Sequence, residues 1–185
     1  MKTLFEKYQK EIVPRLKTEL HLSNDLAVPR IKKVVVNTGL GKFLKDEKAL
    51  EIIERDFTLI VGQKPTKRKA KKSIAGFKVR EGVKIGIAAT LRGKRMWDFL
   101  TRFISLTLPR LRDFRGINSK CIDKFGNLTI GIKEHIVFPE VSLEDLRNVF
   151  GLEVTIVTSA KNKESARALF QAIGIPFAKE ESHKK

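Results

Sequence analysis

Eight basic residues and no acid occupy the stretch from Gln63 to Arg80: Lys64, Lys67, Arg68, Lys69, Lys71, Lys72, Lys78 and Arg80. Ammonium and guanidinium groups at this density bind phosphate, with an affinity that falls steeply with salt and depends little on base sequence. Ile74, Ala75, Gly76 and Phe77 sit inside the block as an apolar tip on a basic stem. A second basic set, Arg110, Arg112 and Arg115, surrounds Phe114. Arginine and aromatic faces stack on unpaired bases, so the two sets point to nucleic acid rather than to a merely solvated surface. The wider charge pattern agrees. Residues 62–120 hold 17 Lys+Arg against 3 Asp+Glu, a net of +14 out of +17 for the 185-residue chain, while the flanks are close to balanced. Charge placed for solubility alone would be spread more evenly.

Other chemistries find little support. Gly39, Gly41 and Lys42 resemble a phosphate loop, but Phe43 stands where such a loop needs Ser or Thr, and no third glycine completes a dinucleotide fingerprint. A tight turn after a strand explains these glycines better, and such a turn is also able to present backbone amides and Asn37 to RNA. His21, His135 and His183 lack ligand spacing, and Glu134-His135 is not followed by the second histidine of a zincin. His135 is expected on a strand surface. The lone Cys121 has no partner for a disulfide or a thiolate cluster and no feature that would activate it. No catalytic group, metal or cofactor is expected. No run of about 18 apolar residues marks a membrane span, and the N-terminal residues do not read as a signal peptide. The expected setting is a reducing cytoplasm. RNA is favoured over DNA because no helix-turn-helix or basic-zipper pattern appears, and the signature of the RRM module is absent too. A DNA-binding architectural protein and a basic enzyme acting on RNA remain as rival classes.

The elements that must position these groups follow from periodicity. Leu4, Tyr8, Ile12, Leu16 and Leu20 form one helical face, which Pro14 should kink or split. Ile31 to Val36 reads as a buried strand, ended by a turn over Asn37 to Gly41. Asp46 caps a helix whose face is Ala49, Leu50, Ile53, Phe57, Ile60 and Val61, with Gly62 past its end. Gln63 to Arg80 reads as a flexible loop or long hairpin arm, and Val83 to Leu91 as a strand. A third helix carries Met96, Phe99, Leu100, Phe103, Ile104 and Thr107 and should end at Pro109. Pro109 to Cys121 reads as a loop and Leu128 to Phe138 as an alternating strand. A short helix begins at Ser142, with Asp145 completing a capping box. The strand Leu152 to Thr158 precedes a last helix, capped by Asn162 and closed by Gly174 and Pro176. The fold class is α+β: a mostly antiparallel β-sheet covered by helices on one face, with a long basic loop or hairpin arm. Residues 1–177 are expected to form a single RNA-binding domain and 178–185 a polar tail.

Six segments in series carry a closer likeness: VPRIKKVVVNTGLG (28–41), GQKPTKRKAKKSIAGFKVREG (62–82), TLRGKRMWDFLTR (90–102), LPRLRDFRGI (108–117), FGNLTIGIKEHIVFPE (125–140) and GLEVTIVTSAKNKESARALFQAIGIPF (151–177). In these segments the chain resembles the family of bacterial large-subunit ribosomal protein number five, the 5S-rRNA-binding protein of the central protuberance. The resemblance implies 5S rRNA contacts at Asn37, Gly39, Gln63, Thr90 and Arg92. It lays the stem Lys64, Lys67, Arg68, Lys69, Lys71 and Lys72 along large-subunit rRNA. It sends an arm with Ser73, Ala75, Gly76, Phe77, Lys78 and Arg80 to the P-site tRNA. It also implies contacts with neighbouring 5S-rRNA-binding ribosomal proteins and with a small-subunit head protein in an intersubunit bridge, for which Arg110, Arg112 and Arg115 are the candidates. Thr38 stands where the family often has Met, and Arg68 where it often has Thr. The tail after Phe177 is longer than usual.

Overall fold

The β-branched run that opens at Ile31 extends further than its apolar residues. The computed structural model describes residues 3–44, 46–77, 79–112, 114–141 and 148–178. In it strand β1 covers Ile31–Gly39, so Asn37, Thr38 and Gly39 are strand residues and not the expected turn. Pairing overrides local propensity here: Asn37 lies opposite Ala88 and Gly39 opposite Gly86 in antiparallel register, which holds the polar end of the strand in the ladder.

The sheet has five strands in the order β2-β3-β1-β5-β4, where β2 is Thr66–Lys69, β3 Lys84–Leu91, β4 Leu128–Ile132 and β5 Leu152–Thr158. Both β2 and β1 run antiparallel to β3. The helices are α1 Leu4–Lys7, α2 Val13–Glu19, α3 Glu47–Val61, α4 Gly93–Arg102, α5 Leu108–Arg110 and α6 Lys163–Ile173. This is the expected α+β class with an antiparallel sheet.

Described residues up to Lys33, Arg92–Ile130 and those from Thr155 onward form one compact unit, and Val34–Leu91 with Gly131–Val154 form another. In the first, Trp97 of α4 meets Tyr8 at 5.2 Å and Phe5 at 5.6 Å between ring centroids. The Tyr8 hydroxyl donates to the Pro29 carbonyl at 3.0 Å, which lets a buried phenol keep a partner. Pro14 and Pro109 are taken into the helical segments without a break. Single π-helical turns, Tyr8–Ile12 and Phe103–Thr107, precede them, and each proline follows such a turn near the start of the next α segment. The third helical segment therefore does not end at Pro109 as periodicity implied, but runs on to Arg110.

In the second unit Asp46 caps α3 by accepting from the Ala49 N–H at 3.1 Å, and Gly62 closes it in the left-handed conformation. Ile53, Phe57 and Ile60 of α3 are fully buried. The strand predicted over Leu128 to Phe138 stops at Ile132, and a 3₁₀ turn, His135–Val137, follows. His135 is accordingly not a surface residue. It is 3% exposed, stacks on Phe150 at 4.0 Å, and accepts from the Phe150 N–H at Nδ1. The parity of Ile130, Ile132 and Glu134 hid this, because alternation cannot register a change of backbone class. The helix expected from Ser142 and the tail from residue 179 onward lie outside the described residues.

Candidate nucleic-acid interface

The second unit has one buried and one open sheet face, and register assigns each residue to a side. Val34, Val36 and Thr38 of β1 are buried and pair with Leu91, Ala89 and Ile87. Their neighbours Val35, Asn37 and Gly39 are half-buried or exposed and pair with Thr90, Ala88 and Gly86. Since side chains alternate along a strand, Asn37, Gly39 and Thr90 share one face. The same register puts Thr66 (opposite Ala88) and Arg68 (opposite Gly86) on that face. The middle of the face is built from small residues, Gly86 and Ala88, both buried among their neighbours. A Cβ at Gly39 would meet nothing within 4 Å, so packing does not require a glycine there. A Cβ at Gly86 would sit 2.9 Å from the Thr38 carbonyl oxygen, so that glycine is structural.

Polar groups on this face are tied together. The Asn37 Nδ2 donates to Glu153 Oε2 at 3.0 Å, and the Gln63 Nε2 donates to the Thr90 carbonyl at 3.4 Å. Gln63 is thereby fastened to the end of β3 carrying Thr90. Arg92 follows β3 directly, is exposed, and belongs to the first unit. Thr38 points to the opposite side, where its hydroxyl donates to the Gly151 carbonyl at 2.6 Å; the residue at this unusual position is a buried strap, not part of the open face.

The basic stem is in part a strand. β2 is an edge strand with all four residues exposed, and charged residues on an edge deter pairing with other chains. Its two sides differ. Arg68 stands on the open face, whereas Lys67 lies opposite Ile87 and its Nζ pairs with Glu54 of α3 at 2.7 Å. Lys64, Lys69, Lys71 and Lys72 are exposed along the same edge and beyond it.

The arm is a hairpin within the β2–β3 hairpin. Ile74 and Val79 form an antiparallel bridge, Ala75–Phe77 make a 3₁₀ turn, and the Ser73 hydroxyl accepts from the Glu81 N–H at 2.9 Å. Phe77 is 78% exposed at its end, Arg80 is exposed, and Lys78 lies outside the described residues. Leu44, Ala70, Ile74, Phe77, Val79 and Ile85 line an apolar cleft of about 710 Å³ beneath the arm. Arg110, Arg112 and Arg115 are exposed in the first unit. Their loop is anchored by Ile117, which pairs in parallel with Phe177, and by Gly116, whose φ of +100° and contact with the Phe177–Ala178 backbone leave no room for a side chain. The basic block of the sequence is thus shared between two units and at least three surfaces.

Residues 24–80 match the family model described as Ribosomal protein L5, and residues 84–177 match the model of that family's C-terminus. The chain belongs to the ribosomal protein L5 family. The two L5 matches meet where the arm ends and β3 begins. The large ribosomal subunit protein uL5 of Halothermothrix orenii is 49% identical over 177 residues, covering 96% of this chain and 99% of the relative. Its counterpart in Desulfatibacillum aliphaticivorans is 50% identical over 179 residues, covering 97% and 100%. The uL5 of Prochlorococcus marinus strain AS9601 is 49% identical over 177 residues, covering 96% and 99%. Membership of the L5 family makes the chain a structural constituent of the ribosome and not an enzyme.

Sequence reasoning about the L5 family named Asn37, Gly39 and Thr90, but did not single out Glu153 or Thr66 or separate Arg68 from Lys67. Glu153 lies 116 positions from Asn37, beyond any local pattern. Thr66 to Lys69 are all polar, so no alternation in the sequence distinguishes the two sides that pairing with β3 separates.

Proposed function

We propose that this chain holds 5S rRNA in the central protuberance of the large ribosomal subunit. Family membership carries the coarser part: a large-subunit ribosomal protein at work in the cytoplasm. Asn37, Gly39, Gln63 and Thr90 dock the 5S rRNA, with Arg92 on a phosphate at the end of the strand. Amide and hydroxyl groups suit base edges and ribose. Lys64, Lys67, Arg68, Lys69, Lys71 and Lys72 follow the phosphates of the large rRNA. The arm from Ser73 to Arg80 reaches the P-site tRNA with Phe77 at its tip. Arg110, Arg112 and Arg115 face a small-subunit head protein, and neighbouring 5S-rRNA-binding proteins complete the particle.

The observation that supports this reading most is the register of β1 on β3, which gathers Asn37, Gly39 and Thr90 on one open face. The test is 5S rRNA binding at fixed salt. Asn37→Ala and Gln63→Ala weaken it, while Lys78→Ala and Arg80→Ala leave it nearly intact. Arm variants that lose 5S rRNA as fully as the face variants overturn this division of labour. Tagged chain that stays at the top of a lysate gradient, away from particles carrying 5S rRNA, overturns the whole reading.

A further inference from the structure

Outside the basic block, the first unit carries an exposed aromatic ring on a rigid mount. Asp123 to Asn127 form a closed turn. The Asp123 carboxylate accepts from the Phe125 N–H at 2.9 Å, the Asn127 N–H at 2.8 Å and the Asn127 Nδ2 at 2.8 Å. Burial pushes this carboxyl up, but the bonds from Asn127, Phe125 and Gly126 outweigh it and hold it below its ordinary value. The turn is closed by the Ile122–Leu128 bridge. It is latched to the segment before α6, where the Thr158 hydroxyl donates to the Gly126 carbonyl at 2.7 Å and the Thr158 N–H to Asn127 Oδ1 at 3.2 Å. Gly126 is required there: its φ is +78°, and a Cβ would fall 2.8 Å from that of Ala160 and 3.0 Å from that of Ala166.

So stiff a turn does not let Phe125 fold back onto the core, and the residue is 65% exposed. The Lys124 ammonium lies 5.2 Å from the ring centroid. Lys161 and Lys163 are exposed on the stretch against which the turn rests. Asp123 is consumed by the turn, and Glu164 stands in the first turn of α6. We propose that Phe125, with Lys124, Lys161 and Lys163, forms a stacking site for an unpaired nucleotide of RNA. A base offers the flat face that a lone phenyl ring takes, and its phosphates fall to the lysines. A protein partner is less well matched, because the centres of protein interfaces are depleted in lysine. The site belongs to the first unit and is argued independently of the 5S rRNA face, which belongs to the second.

The experiment places a reporter at the ring. In the full chain Phe125→Trp adds an exposed indole to the buried Trp97, whose emission serves as a constant background. A short single-stranded oligoribonucleotide quenches the added emission, and the same strand annealed to its complement quenches it less. Phe125→Ala weakens binding of the single strand about ten-fold and Phe125→Tyr does not. Lys124→Ala lowers the salt slope by about 1. Unquenched emission at saturating oligonucleotide, or unchanged affinity in Phe125→Ala, overturns the site. So does Phe125→Ala losing 5S rRNA as fully as Asn37→Ala, which would merge the ring with the docking face. A variant that keeps its RNA affinity but sheds a protein neighbour from ribosomal particles reassigns the surface to protein and overturns it too.

Discussion

The Asn37 amide donates a 3.0 Å hydrogen bond to the Glu153 carboxylate, joining neighbouring strands β1 and β5. On the face proposed above for RNA a carboxylate repels phosphate, yet this one also fixes the Asn37 side chain through the amide nitrogen and leaves the amide oxygen to face the proposed ligand. Charge counting and preorganisation then predict opposite signs. Removing the acid as Glu153→Ala weakens 5S rRNA binding by about 1 kcal/mol, roughly five-fold, because the amide loses its orientation. Tighter binding in a titration would show that the carboxylate is only repulsive.

Arg68 and Lys67 are adjacent in sequence but not equivalent. Lys67 is already neutralised by Glu54 at 2.7 Å, whereas Arg68 shares the open face with Asn37. Arg68→Ala lowers the slope of log affinity against log salt by about 1, and Lys67→Ala lowers it by clearly less. Equal slopes for the two variants would remove the distinction.

His135 makes stability depend on pH. Burial holds its pKa below the ordinary 6.5, against the opposing pull of Asp56, whose Oδ2 is 4.0 Å from Nε2. Because Nδ1 accepts from Phe150, the neutral ring carries its proton on Nε2, toward Asp56. Below 6.5 the unfolded chain takes up a proton before the folded one does. The contribution is therefore complete above 6.5 and is lost as pH falls toward the folded value. Urea unfolding at about pH 7.5 and about pH 5.5 finds lower stability at the acid end. His135→Phe, which keeps a ring on Phe150, flattens the difference, and a slope as steep as that of the parent would assign it elsewhere.

Thr107 is a buried hydroxyl out of register. Thr58 and Thr101, in α-helices, donate to the carbonyl four residues back at 2.6 and 2.8 Å. Thr107 closes the π turn before Pro109, is 0% exposed, and its Oγ1 has no partner among the described residues. Removing an unsatisfied hydroxyl while keeping its shape relieves a desolvation penalty, so Thr107→Val raises stability by about 1 kcal/mol. A lower melting temperature would mean that the hydroxyl finds a partner.

Much of the fold was legible because its signals are local. Asp46, Asn162, Gly62 and Gly174 mark helix ends by single-residue chemistry, and each does so in the structure. β5 was legible because Leu152, Val154, Ile156 and Thr158 alternate against half-open neighbours. Illegibility began where a distant partner decides. Asn37 to Gly39 read as a turn because polar and glycine residues favour turns in isolation, and their pairing with Gly86 to Ala88 is not written nearby. His135 looked like a surface residue for the same reason: its partners Asp56 and Phe150 are remote in the chain.

The sequence by itself determined the kind of partner, since net charge and its clustering between residues 62 and 120 need no fold to attract a polyanion. It also determined the family, because six ordered segments carry that likeness residue by residue. The tertiary structure alone decided which residues act together. Strand register places Asn37, Gly39, Thr66, Arg68 and Thr90 on one face and turns Lys67 and Thr38 to the other. A one-residue shift would exchange the two sets, and register is set by burial and pairing across the whole sheet rather than by any short stretch of chain.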